Sequence, residues 1–71
     1  MVDYIKIAPD EELGYAVSVV EFFDPFGNED YFDTVDEAYE HAIKLASYHK
    51  VEIREVDENG KLIAYIVNEL L

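Results

Sequence analysis

Only one stretch of this chain has helical periodicity, and it opens on a capping signal, Thr34-Val35-Asp36-Glu37. At that spacing the Thr34 hydroxyl accepts from the Glu37 amide while the Glu37 carboxylate reaches back toward the cap. Val35, Ala38, Tyr39, Ala42, Ala46 and His49 then recur on one face, with Ile43 and Leu45 on its flanks and Asp36, Glu40 and Lys44 opposite. A helix to about His49 is therefore expected. A single helix can cover only one side of whatever the remaining residues build, and those residues read as strands.

Residues 2–8 are β-branched and aromatic and stop at Pro9-Asp10-Glu11-Glu12, a strand followed by a turn. After Gly14, residues 15–23 alternate, with Tyr15, Val17 and Val19 on one side and Ala16, Ser18, Val20 and Phe22 on the other. The two runs predict an antiparallel hairpin. Asp24-Pro25-Phe26-Gly27-Asn28 is the strongest break, and residues 29–33 read as a short third strand carrying Tyr31 and Phe32. Beyond the helix, residues 51–56 and 62–67 are strands joined by Asp57-Glu58-Asn59-Gly60-Lys61, a hairpin signal through its Asn-Gly. The order β-β-(β)-α-β-β gives the fold class: α+β, one small antiparallel sheet with one helix packed on one face, in a single domain. Because residues 62–67 are apolar on both faces, the second sheet face needs a cover. Tyr4, Val20, Phe22 and Tyr65 are its expected outward residues, and they point to a possible homodimer or a partner contact there.

A chain of 71 residues buries only ~60% of the surface its unfolded form exposes, so the core is thin. With 51% hydrophobic and 14% aromatic residues it still lies outside the disordered class. The absence of Cys excludes disulfides, thiolate metal sites and a cysteine nucleophile. No signal-peptide pattern or membrane-length apolar run occurs, and a cytoplasmic location is expected. A net charge of −12 repels nucleic acid and attracts basic partners in a salt-dependent way.

Enzymatic chemistry finds little purchase, and the reading is of a non-enzyme without metal or cofactor. His41 and His49 are eight positions apart on the helix, about 12 Å along its axis, too far to share one metal. His49 falls on the apolar stripe, and His41 follows Glu37 by one turn, which makes that acid its simplest partner. Ser18 and Ser47 lack a nucleophile-elbow context. The acids around Gly27 do not follow the calcium-loop order, since Gly27 precedes Asn28 and Asp30.

What remains is charge patterning. Between Ile7 and Ile43 stand Asp10, Glu11, Glu12, Glu21, Asp24, Glu29, Asp30, Asp33, Asp36, Glu37 and Glu40, with no Lys or Arg among them. Acids two apart on a strand are ~6.6 Å apart, and acids four apart on a helix ~6 Å, spacings of the order of successive phosphates. Glu21, Asp24, Glu29, Asp30, Asp33, Asp36, Glu37 and Glu40 are therefore the expected partner-binding ridge, with Phe23, Phe26 and Tyr31 as apolar anchors. The alternative is a solvated face on a small assembly protein that homodimerises through its uncovered sheet face.

Gly14-Tyr15-Ala16-Val17-Ser18-Val19 and Asp33-Thr34-Val35-Asp36-Glu37-Ala38, set within residues 10–46, resemble the N-terminal domain of HicB-type antitoxins. The resemblance implies a partial RNase H-like fold that blocks a small basic RNA-cleaving toxin. Small acidic phage proteins of the anti-CRISPR or anti-restriction kind fit the same physical description. The expected partner is thus a basic nucleic-acid-binding protein, whether nuclease, toxin or CRISPR effector, with no direct nucleic-acid or membrane contact.

Overall fold

The computed structural model describes residues 1–21 and 29–67. Strands β1 (Val2–Asp10), β2 (Gly14–Glu21) and β3 (Glu29–Phe32) precede helix α1 (Val35–His49), and β4 (Glu52–Val56) and β5 (Leu62–Ile66) follow it. The strands form one five-stranded sheet in the order β3-β2-β1-β4-β5. The architecture is α+β, with the helix packed against one face of the sheet.

The sheet is mixed rather than wholly antiparallel. β1 pairs with β2, β2 with β3 and β4 with β5 in antiparallel sense, but β1 and β4 run parallel, from Tyr4 opposite Glu52 to Ile7 opposite Glu55. The cause is the helix. Parallel neighbours need a crossover of about a dozen residues or more, and α1 carries the chain back across the face to the free side of β1.

Strand β1 also runs further than its Pro9 suggests. Pro9 stands opposite Tyr15 of β2, while the pairing with β4 ends at Ile7. At Pro9 the strand has a neighbour on one side only, so the missing N–H breaks no second ladder.

The core lies between the central strands and α1. Ile5, Ile7, Val17 and Ile53 are fully buried against Ala38, Ala42 and Ala46, with Val2, Tyr15, Val19, Phe32, Tyr39, Leu45, Val51 and Ile66 packed around them. Every fully buried helix residue is alanine. Small side chains on that stripe let the helix backbone come close to the sheet, so the β-branched residues supply most of the core volume.

Both helix ends are closed. Thr34 Oγ1 accepts from the Glu37 amide at 3.2 Å, and its hydroxyl donates to Glu37 Oε1, also at 3.2 Å. At the other end Lys50 takes the left-handed conformation, φ 59°, and the amides of Lys50 and Val51 both donate to the Ala46 carbonyl. In the β4–β5 hairpin the Gly60 amide donates to the Asp57 carbonyl at 2.9 Å, and Asp57 Oδ1 accepts from the amides of Asn59 and Lys61. Only Gly60 of the turn has positive φ, 84°. The Asn-Gly pair is thus part of a longer turn and not a two-residue loop, and the ladder shifts by one residue beside it, between Glu55 and Val56.

Candidate functional site: an acidic edge

Strand β3 is the edge of the sheet nearest the helix start, and this adjacency gathers the acids. Glu29 and Asp30 lie on β3, Asp33 on the two-residue link, and Asp36, Glu37 and Glu40 on the first turns of α1; all are exposed. Asp30 projects toward the helix and meets His41 Nε2 at 2.9 Å. The partner of His41 is therefore Asp30 across the strand, not Glu37 one turn back, whose carboxylate is occupied at the Thr34 cap. The His41 ring also stands over Phe32, with centroids 5.0 Å apart. Phe32, Glu37, Glu40, His41 and Lys44 line a shallow groove of about 230 Å³. Lys44 is the one cation in that lining.

Tyr31 sits on the same strand but faces away from the helix, 45% exposed, with its hydroxyl donating to Glu29 Oε2 at 2.7 Å. That hydrogen bond, and then the Glu29 charge itself, hold the Tyr31 phenol above its ordinary pKa. Burial and the Asp10 charge add smaller pushes in the same direction. The edge thus carries an aromatic ring fixed beside a carboxylate.

The Asp10 effect reveals a part of the edge that sequence spacing had not assigned to the ridge. Asp10 pairs with Gly14, and a β-carbon on Gly14 would lie 2.4 Å from the Phe32 carbonyl oxygen and 3.1 Å from the Asp33 Cα. Gly14 therefore brings the Asp10-Glu11-Glu12 turn against the end of β3. Asp10 Oδ1 holds that turn by accepting from the Glu12 and Leu13 amides, both at 2.9 Å. The signal was present in the sequence as an acidic triplet ahead of Gly14, but its neighbour depended on a hairpin register.

Glu21 is set apart from this group. It lies three residues beyond the Ser18–Glu29 pair on β2, about 10 Å further along at ~3.3 Å per residue, opposite Val2. Asp24, Phe23 and Phe26, and with them Phe22 of the outward face, lie outside the described residues.

The face away from the helix carries Tyr4, Val20 and Tyr65, placed by the registers Tyr4–Val20, Tyr4–Glu52 and Arg54–Tyr65. Arg54 donates from Nε to Glu52 Oε2 at 2.6 Å and stands 4.2 Å over the Tyr4 ring. Ser18 is buried on this face too, and its hydroxyl has no hydrogen-bond partner among the described residues.

Among the described residues no group of three or more His, Asp or Glu side chains is arranged to hold a metal ion, and no helix is long and apolar enough to cross a membrane. Comparison of the chain with protein-family models, with curated proteins and with solved structures gives no match.

Proposed function

We propose that this domain is a non-enzymatic acidic inhibitor that occupies the basic nucleic-acid-binding surface of a nuclease or related effector. The observation that carries the reading is the convergence of Asp10, Glu29, Asp30, Asp33, Asp36, Glu37 and Glu40 from three parts of the chain onto one exposed edge, in a protein of net charge −12. Placing like charges together raises the energy of the folded state, and the arrangement is repaid when a basic surface is brought against it. Tyr31, exposed and anchored beside Glu29, supplies an aromatic contact at the margin of the charge.

The partner class follows from the chemistry: a protein whose Lys and Arg are spaced to meet phosphates. A toxin nuclease of the kind blocked by HicB-type antitoxins, or a restriction or CRISPR effector, has that surface. In each case the domain excludes the nucleic acid by competition and needs no catalytic group.

The test is charge reversal at exposed positions, where the side-chain contacts that are lost lie on the surface. Glu29→Lys, Asp30→Lys and Asp36→Lys combined are expected to abolish retention of a basic nucleic-acid-binding protein from nuclease-treated lysate, with the circular dichroism spectrum unchanged. Undiminished retention by the folded triple variant contradicts the proposal.

A further inference from the structure

The two edges of the sheet differ in a way that the acidic reading leaves unused. The β3 edge carries Glu29 and Asp30, and charge on an edge strand discourages pairing with another strand. The β5 edge has no such protection. Leu62-Ile63-Ala64-Tyr65-Ile66-Val67 is a six-residue run without charge or proline in a chain of which 31% is charged, and Leu62, Ile63 and Tyr65 are 51%, 58% and 51% exposed. Among the described residues no strand pairs with the outer side of β5. Such an edge presents a row of backbone donors and acceptors, and its natural occupant is another β-strand.

We infer that the occupant is a second copy of this chain, with β5 pairing antiparallel to β5 of the second copy about a two-fold axis at Tyr65. Charge argues for this choice. A basic partner strand finds no carboxylate to meet along Leu62–Val67, whereas a second copy of a −12 chain meets less like-charge repulsion at this uncharged strand than at the acidic edge. The sheet order places the acidic β3 edge four strand spacings from β5, ~19 Å at ~4.8 Å per step, more than two Debye lengths at physiological salt (~8 Å). In the paired form the two acidic edges stand nine spacings apart, ~43 Å, at opposite ends of one continuous sheet.

The register follows from the bulge. The shift beside Val56 falls at the turn end of β5, which leaves Ala64–Ile66 as its regular part, with Ala64 opposite Glu55 and Tyr65 opposite Arg54. Pairing about Tyr65 sets Ala64 against Ile66 on the helix side and one Tyr65 against the other on the open face. From Ile63 to Val67 every opposed pair is then apolar or aromatic, the combination that stabilises antiparallel ladders. The contact leaves the acidic edge free, so it is compatible with inhibition and independent of it.

Sedimentation equilibrium of the full chain, with and without added salt, tests this. The expected result is twice the single-chain mass, with tighter association as salt rises, because screening relieves repulsion between the two copies. Since the protein has no native Cys, Tyr65→Cys is expected to give a cross-linked dimer on mild oxidation, the directly opposed β-carbons standing about 4.5–5.5 Å apart. Val20→Cys, on the open face near the end of β2 and three strands away from β5, is expected to give none. A single-chain mass up to high micromolar concentration overturns the inference, as does cross-linking through Val20→Cys but not Tyr65→Cys, which assigns the contact to the sheet face. Loss of partner capture in the acidic-edge reversal bears on the proposed function and leaves this result unaffected.

Discussion

At the scale of single residues, the polar groups packed against apolar surroundings make the sharpest predictions. Tyr39 reaches from the helix to donate its hydroxyl to Glu55 on β4. Burial first, and then the hydrogen bond and charge of Glu55, push its phenol up to about 12. The folded state therefore holds the Tyr39 proton more tightly than the unfolded chain, whose tyrosines titrate near 10. The stability that this proton contributes is fully present below pH ~10 and is lost as pH rises from there toward 12. Denaturant midpoints of the wild type should fall across that window more steeply than those of Tyr39→Phe, and parallel curves would show that the phenol does not contribute. Near neutral pH Tyr39→Phe is expected to cost ~1–2 kcal/mol, because Glu55 loses its hydrogen-bond donor. Ser18 predicts the opposite sign. Its hydroxyl is buried without a partner among the described residues, so Ser18→Ala should be neutral or stabilise by up to ~1 kcal/mol in urea unfolding.

At the scale of elements, the helix was the most legible part of the chain and its C-terminus the least ideal. Lys50 occupies a left-handed position that glycine fills without strain, so Lys50→Gly is expected to raise stability by ~0.5–1 kcal/mol in thermal unfolding. A loss of stability there would mean that the Lys50 side chain makes a contribution larger than its backbone cost. The helix could be read because its signals are local: a capping pair three residues apart and an alanine stripe at helical spacing. The hairpins could be read for the same reason, from acidic or Asn-Gly turns between alternating runs. The parallel pairing of β1 with β4 could not. Its partners, such as Ile5 and Ile53, are far apart in sequence, and no local pattern states the direction in which they meet. His41 makes the same point on a smaller scale. The one-turn rule selects Glu37, but Glu37 is engaged at the cap, and the strand that packs alongside supplies Asp30 instead. Asp10 joined the acidic edge through the register of β1 on β2 and the close approach of Gly14 to β3, neither of which is written in the spacing of the acids.

At the scale of the whole molecule, the fold places the proposed partner-binding surface and the inferred self-pairing strand at opposite edges of one sheet. The acids collect where β3, the first turns of α1 and the β1–β2 turn meet, while β5 at the far side is uncharged. These surfaces should respond to salt in opposite directions, since screening weakens attraction to a basic partner and relieves repulsion between copies. The central claim is that the acidic edge stands in for nucleic acid on that partner. The most direct measurement is competition: the immobilised domain captures a basic nucleic-acid-binding protein from nuclease-treated lysate, and that protein's own nucleic-acid substrate is then titrated in at low and at high salt. The account predicts that the substrate displaces the captured protein and that rising salt releases it without substrate. Retention that neither substrate nor salt disturbs would contradict the mimic and place the contact elsewhere on the molecule.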